Sequence, residues 1–141
     1  MSKEEIVAVI IMNLKTKKVL MQQRAGEIRA SGLWEFPGGH LESNETYSQC
    51  GFRESKAETD LTVKMIDTHP YYTGRDIIPN IKGDLVIYFM RAQYIGGTPR
   101  IMEPHKCAKQ GWFSWGGMPR PTFPLIEELI AKDKNPFKYL K

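Results

Sequence analysis

The sequence predicts an α+β domain in which helices pack against a mixed β-sheet. Six runs rich in β-branched, aliphatic or aromatic residues indicate strands, whereas only two segments have the spacing of helices. These elements follow the order β-β-β-α-β-β-β-α. Because a doubly wound α/β fold needs regular alternation of strands and helices, this order favours a mixed sheet in a single domain spanning residues 1–141.

The predicted strands before the first helix cover residues 6–14, 19–23 and 33–36. The first two flank the turn-like segment 13–18, so we expect them to form a β-hairpin or meander. The third is stopped abruptly by Pro37, Gly38 and Gly39, and a loop is expected to follow.

The first helix is predicted over residues 46–59. Thr46 and Gln49 have the spacing of a capping box, in which the two side chains accept hydrogen bonds from the first free amides of a helix. The apolar stripe is poor, and Gly51 lies in the middle. We therefore expect this helix to be held by its charged face and by what that face binds.

The second half of the chain contains three predicted strands, a long loop and a helix. The strands cover residues 61–68, 84–94 and 110–115, and the loop covers 71–83. The helix is predicted over residues 123–134, where the apolar residues with helical spacing are Leu125, Ile126, Leu129 and Ile130.

Composition narrows the class of protein. The 20 Lys and Arg against 16 Asp and Glu give a formal net charge of +4, which suits anionic ligands but is too weak for a typical nucleic-acid binder. Cys50 and Cys107 lack the number and spacing of a disulfide framework or a zinc site, so both are expected to be reduced core thiols. With two acids near the N-terminus and no long apolar run, we expect a soluble, cytosolic protein without a membrane span.

The chemistry suggested by the sequence lies in the first predicted helix. Glu54 and Glu58 are one turn apart, so both carboxylates are expected on one face. Like charges repel at this spacing, and a hard divalent cation would turn the repulsion into a binding site. Gly38 and Gly39 would let the backbone approach the metal and phosphate groups. Mg²⁺ suits such a site because it prefers a few carboxylates together with water and phosphate oxygens.

Arg53 and Glu45 are expected to have a structural role. A guanidinium beside the acidic face is suited to a bidentate contact, and Glu45, just before the helix, is placed to accept it. Two glutamates four residues apart are, taken alone, usually a solvated helix face. The metal hypothesis therefore depends on the wider pattern.

That pattern resembles the Nudix box of the Nudix hydrolase family. The positions that match are Gly39, Glu45, Arg53, Glu54, Glu58 and Leu61, and residues 33–42 also resemble the segment that precedes the box. The sequence departs from the box at Ser55, Ala57 and Asp60. Ala57 replaces a third box glutamate, which would weaken binding of a second or third metal.

The resemblance implies a Nudix-type α/β/α sandwich with a central mixed sheet, in which the box forms a loop-helix-loop. It implies Mg²⁺, or Mn²⁺, as cofactor, with Glu54 and Glu58 as catalytic metal ligands and Gly39 as a further ligand. The residues expected to contact substrate are Arg24, Trp34, Gly38, Gly39 and His40.

A second resemblance covers residues 103–115 and points to a Nudix subgroup of nucleoside triphosphate diphosphatases. It makes a homodimer the expected assembly, and Glu103 is expected to be positional. His105, Ala108 and Gly111 stand where that subgroup often has acids, so an acid outside the box that would assist metal or water is not evident.

Three functions remain open on the sequence. The leading hypothesis is metal-dependent hydrolysis of a nucleoside triphosphate or related nucleoside diphosphate derivative, which releases a nucleoside monophosphate and pyrophosphate or a phosphorylated leaving group. The second is a catalytically weakened nucleotide-binding module that acts as a sensor or partner-binding domain. The third, a domain that binds RNA ends or processes caps, is disfavoured because no Lys/Arg stripe is present.

Overall fold

The computed structural model describes residues 3–26, 31–77, 84–138 and 140. The strands are β1 (Lys3–Asn13), β2 (Lys18–Arg24), β3 (Trp34–Glu35), β4 (Gly38–His40), β5 (Thr62–Met65), β6 (Tyr72–Ile77), β7 (Asp84–Gly96) and β8 (Cys107–Ser114). The helices are α1 (Tyr47–Thr59), α2 (Pro124–Ala131) and a 3₁₀ turn over Trp115–Gly117.

The strands form one mixed sheet. Its main path has the order β3-β2-β1-β7-β5, while β4 pairs with β1, β6 with β7 and β8 with β2. β1 and β7 are parallel, and the other pairings are antiparallel. The predicted mixed sheet is therefore confirmed.

The two faces of the sheet carry separate apolar clusters, since side chains alternate along each strand. In β1, Ala8, Ile10 and Met12 are buried in the cluster that includes α2. Val7, Val9 and Ile11 are buried in the cluster that includes Cys50 of α1. The sheet thus lies between two helical layers, which confirms the expected α/β/α sandwich.

The expected loop over residues 71–83 is wrong in its first half. Residues 72–77 form β6, which pairs antiparallel with β7 from Tyr72↔Phe89 to Ile77↔Asp84. The segment lacks a long apolar run, and its pairing comes from backbone hydrogen bonds that the sequence pattern does not reveal. A Cβ on Gly74 would lie 3.0 Å from Leu125 Cδ1, so the glycine makes room for α2. Residues 78–83 lie outside the described residues.

The expected loop after residue 36 is also partly a strand. Residues 38–40 form β4 against β1, with Gly38 opposite Ala8 and His40 opposite Ile6. A Cβ on Gly38 would lie 2.1 Å from the carbonyl oxygen of Val7. Glycine is therefore required here by a close backbone approach, and not only by a turn.

The start of α1 is confirmed. Thr46 is the N-cap: its Oγ1 accepts from the Gln49 amide at 3.0 Å, and Gln49 Oε1 accepts from the Thr46 amide at 2.9 Å. A Cβ on Gly51 would meet Met65 Cε at 2.6 Å, so the mid-helix glycine lets α1 pack closely on the sheet. Two predicted boundaries differ from the structure: β8 begins three residues before the strand predicted over residues 110–115, and α2 ends at Ala131 instead of residue 134.

The two cysteines have different environments. Cys50 is fully buried in the core, as predicted, whereas Cys107 is only partly buried. The prediction of a core thiol at Cys107 is wrong because β8 is an edge strand at this point. Neither helix in the described part of the chain is long and apolar enough to cross a membrane.

Candidate active site

A cavity of about 490 Å³ opens where β4 joins β1 and the C-terminal half of α1 meets the sheet. Its size fits a small organic ligand. Its apolar lining residues, called the apolar wall below, are Ile6, Ala8, Phe36, Leu85, Ile87, Phe89, Phe123 and Ile126. The lining also includes the acids Glu4, Glu35, Glu42, Glu54, Glu58 and Glu103, together with Arg24, His40, Arg53 and Lys106.

The structure brings the Gly-Gly segment and the α1 carboxylates together. The Gly38 amide donates to Glu58 Oε1 at 3.2 Å. A Cβ on Gly39 would lie 2.3 Å from Glu54 Oε2, so only a glycine leaves space for this carboxylate against the backbone. Glu54, Glu58, Gly38 and Gly39 therefore line one cavity together.

The electrostatics of the two carboxylates fit a cation. Burial raises the pKa of Glu58 to about 7, and the neighbouring acids Glu35, Glu54 and Glu103 add to the rise while the Gly38 amide opposes it. Burial also raises the pKa of Glu54, and the nearby Arg53 opposes this rise. An ionised Glu58 beside the other acids is thus costly, and a hard cation with oxygen preference would offset this cost.

Arg53 ties the loop before α1 to the helix. Its Nε and Nη2 donate to Glu45 at 2.7 and 3.0 Å, which is the bidentate contact that the sequence predicts. Its Nη1 donates to Glu54 Oε1 at 2.7 Å, and its Nη2 donates to the His40 carbonyl at 3.2 Å. The Arg53 hydrogen bonds hold the pKa of Glu45 down at about 2. This arrangement fixes Glu54 in one orientation beside Gly39.

The other residues expected to contact substrate fall into two groups. Arg24 lines the cavity, where its Nη1 lies 3.0 and 2.9 Å from the two carboxylate oxygens of Glu35. His40 lies at the cavity mouth, with Nε2 3.1 Å from Glu4 Oε1. Trp34 does not line the cavity: its side chain is 8% exposed and packs edge-on against Phe113.

The expected substrate contact by Trp34 is therefore corrected to a core role. Trp34 lies in the apolar cluster that includes α2, where its side chain is buried against Phe113. Its strand neighbours Glu35 and Phe36 line the cavity instead.

Comparison with known proteins identifies the family. The NUDIX domain model matches residues 3–132. The chain belongs to the NUDIX domain family. A MutT NUDIX hydrolase structure from Burkholderia pseudomallei superposes with a TM-score of 0.78 at 19% identity, covering 93% of this chain and 98% of that one. A NUDIX hydrolase structure from Nitrosomonas europaea gives 0.74 at 22% identity, covering 99% and 73%.

Two curated relatives match part of the Nudix domain. An 8-oxo-dGTP diphosphatase from Proteus vulgaris is 43% identical over 49 residues, which are 35% of this chain and 44% of the relative. A CTP pyrophosphohydrolase from Escherichia coli K12 is 41% identical over 54 residues, 38% of each chain. The matched segment spans less than half the length of either relative.

The departures from the Nudix box have distinct structural settings. Asp60 ends α1 in the left-handed conformation, at φ 63°, which explains why the box has glycine at this position. Ser55 is buried, and its Oγ donates to the Gly51 carbonyl at 2.7 Å. Ala57 is exposed and does not line the cavity. Among the described residues, no three acidic, His or Cys side chains are arranged to hold a metal ion.

The segment before β8 supplies residues that the sequence analysis did not assign to the Nudix site. Glu103, Lys106 and Cys107 line the cavity, whereas His105, Ala108 and Gly111 do not. Glu103 is close enough to raise the pKa of both Glu54 and Glu58. An acid outside the box is therefore present at the cavity, although the acids missing at 105, 108 and 111 led to the opposite expectation.

Glu35 is another cavity residue that sequence reasoning missed. The available signal was a charged residue in the short strand directly before Pro37, Gly38 and Gly39, the segment expected to approach the metal and phosphate groups.

Proposed function

We propose that this Nudix protein hydrolyses a nucleoside triphosphate or a related nucleoside diphosphate derivative, with Mg²⁺ or Mn²⁺ as cofactor. The products are a nucleoside monophosphate and pyrophosphate or a phosphorylated leaving group. The observation that carries the proposal is the meeting of Glu54 and Glu58 with Gly38 and Gly39 at a cavity that also has a large apolar lining.

The apolar and the charged lining residues of the cavity suit the two parts of a nucleotide. The apolar wall, with Phe89 and Phe123 among its residues, would pack against the base and sugar. The phosphate chain would lie along the Gly38-Gly39 backbone, beside Arg24 and His40. The names of the curated relatives make CTP and 8-oxo-dGTP the first substrates to test.

The residues that would hold the cofactor are Glu54, Glu58 and the Gly39 backbone. When bound, a divalent cation supplies charge neutralisation for the phosphates and activation of water. In the hydrolysis, the water oxygen would bond to a phosphorus atom as the bond from that phosphorus to the bridging oxygen breaks. The bridging oxygen would leave as part of the second product, and the water protons would pass to the products and the solvent. Arg53 keeps Glu54 in place, Glu45 fixes Arg53, and Glu103 adds negative charge that favours a cation.

A catalytically weakened nucleotide-binding module is the second candidate. Ala57 leaves only two α1 carboxylates at the cavity, and that observation favours it. It would bind nucleotide as a sensor or partner-binding domain. The homodimer and the cytoplasmic location stay predictions from the sequence.

The experiment is an assay with nucleoside triphosphates, 8-oxo-dGTP and dinucleotides, first in Mg²⁺ and then in Mn²⁺. Release of monophosphate and pyrophosphate is measured. We expect turnover, and we expect a chelator of divalent cations to abolish it. Glu58→Gln should lower kcat/KM by about 10²-fold or more, because it removes one of two carboxylates that would bind the cation.

Glu127→Gln is the matched control. Glu127 is an exposed glutamate on α2 that pairs with Arg120 outside the cavity, so its substitution should leave turnover unchanged. Saturable nucleotide binding without turnover would select the weakened module over the hydrolase. Full activity of the folded Glu58→Gln variant would show that the metal assignment is wrong.

A further inference from the structure

Arg24 and Glu35 form an ion pair at the cavity. Glu35 faces Gln22 across the β2–β3 pair, so Arg24, two residues further along β2, lies on the same face of the sheet. Both oxygens of Glu35 lie within 3.0 Å of Arg24 Nη1. The two side chains are about equally sheltered, at 25% and 26% exposed, and both line the cavity.

We expect the Arg24–Glu35 ion pair to add little to the stability of the fold. Taking a carboxylate and a guanidinium partly out of water costs about as much as their attraction returns. Burial raises the pKa of Glu35 against the effect of Arg24, which shows the cost of placing the acid there. An apolar pair could fill the same space, so the pair is better explained by what it does in the cavity.

The negative charge of Glu35 also does not explain why an acid lines this cavity. Besides Glu35, the cavity carries five acids against Arg24, Arg53 and Lys106, and its proposed ligand is an anion. Glu35 adds to that negative charge. Its carboxylate does, however, accept two hydrogen bonds from the Arg24 guanidinium, a contact that orients this long side chain.

The backbone around Arg24 is fixed as well. The Arg24 amide donates to the Leu33 carbonyl at 2.9 Å, and the Ala25 amide donates to the Lys106 carbonyl at 2.8 Å. A Cβ on Gly26 would lie 2.4 Å from the His105 carbonyl oxygen. The strand pairs therefore set the backbone position of Arg24, and its guanidinium contacts Glu35.

We propose that Glu35 is a positioning residue, whose carboxylate orients the Arg24 guanidinium toward the phosphate chain of the nucleotide. This inference rests on the proposed function. It predicts that an acid in the cavity improves binding of an anion, which is the opposite of the effect of its charge alone.

The test is steady-state kinetics of Glu35→Gln with CTP and 8-oxo-dGTP in Mg²⁺. The substitution keeps the shape and one acceptor but weakens the grip on Arg24. KM should rise about tenfold, the size expected for a charge-assisted hydrogen bond, with kcat within about twofold of the wild type. A lower or unchanged KM overturns the proposal.

A double-mutant cycle shows whether Glu35 acts through Arg24. Arg24→Ala should raise KM at least as much as Glu35→Gln, and adding Glu35→Gln to it should change KM by less than about twofold. An undiminished effect of Glu35→Gln in the Arg24→Ala background overturns the proposal. Arg24→Lys keeps the charge but not the planar guanidinium, and it should raise KM like Glu35→Gln even if the latter folds poorly.

Glu127→Gln is the matched control. It makes the same change in an Arg–Glu pair outside the cavity, where Arg120 Nη1 lies 2.8 Å from Glu127 Oε1. Its loss should leave KM unchanged. Equal behaviour of the two variants overturns positioning by Glu35.

Wild-type behaviour separates this inference from the proposed function. If the wild type binds these nucleotides without turnover, the same comparison is made on Kd by calorimetry. If it neither binds nor hydrolyses them, the proposed function fails and this inference fails with it. An active wild type with an unaffected Glu35→Gln variant overturns the positioning alone.

Discussion

At the scale of single residues, the site depends on two glycines, whose lack of a side chain allows close contacts to the backbone. Gly38 and Gly39 bring the β4 backbone against Val7 and against the Glu54 carboxylate at distances that a Cβ would forbid. The same backbone donates to Glu58. Two glycines thus place the α1 acids beside backbone groups that a phosphate or a cation can also reach.

Ala57→Glu tests how far the proposed cation site is limited by its number of carboxylates. Residue 57 is exposed on α1 next to Glu58, so a glutamate there is expected to fold normally. A third carboxylate should increase the number of Mn²⁺ ions bound, measured by calorimetric titration. It should also raise kcat/KM several-fold.

Phe52→Glu provides the control for Ala57→Glu. Phe52 is half exposed on α1 and, at about 100° per residue, points away from Glu54. A carboxylate there should change neither Mn²⁺ stoichiometry nor activity. The same stoichiometry in wild type and Ala57→Glu would mean that the missing acid does not limit the site.

The lowered pKa of Glu45 predicts that part of the free energy of unfolding is lost in acid. Hydrogen bonds from Arg53 lower its folded-state pKa to about 2, below the value of about 4.5 for a free glutamate. The unfolded chain binds the proton first, so this stabilisation is complete above about pH 4.5 and is lost as the pH falls toward 2. Urea unfolding of Glu45→Gln should therefore show a weaker fall in the free energy of unfolding over this range than the wild type. Parallel curves for the two proteins would contradict the Glu45 assignment.

At the scale of elements, α1 is a poor helix by its own composition and is held by its ends and contacts. Its N-terminus has a complete capping box, and its C-terminus has Asp60 in the left-handed conformation. Gly51 seats the helix on Met65, and Arg53 ties it to the preceding loop. Because the caps and these contacts stabilise α1, its acidic face is available to bind a ligand.

Thr46→Ala is expected to lower the free energy of unfolding by about 1 kcal/mol, because it leaves the Gln49 amide without its capping acceptor. Thermal or urea unfolding measures the change. Thr46→Ser keeps the hydroxyl and should cost much less. Equal losses for the two substitutions would contradict a capping role.

At the scale of the whole molecule, the cavity exists because distant segments meet at one sheet. Glu35 comes from β3, the α1 acids follow the box loop, and Glu103 precedes β8. The parallel pair of β1 and β7 carries Ile6, Ala8, Ile87 and Phe89 to the apolar wall. A nucleotide in the proposed pose would contact all of these segments at once.

The sequence by itself determined the class of the fold, the start of α1 and the close approach of Glu45, Arg53 and the Glu54–Glu58 pair. These features depend on periodicity and short spacings, which a helix converts directly into geometry. β6 could not be predicted because its pairing with β7 uses backbone groups that every sequence carries.

Only the tertiary structure decided which side chains reach the cavity. It buried Trp34, turned Glu35 to the site, and brought Glu103 and Cys107 to it from the far end of the chain. Those outcomes depend on which segments meet at the cavity, since the neighbouring residues Glu35 and Phe36 both line it and Glu103 reaches it from outside a strand. The meeting of distant segments is set by the packing of the whole sheet, and no local pattern contains it.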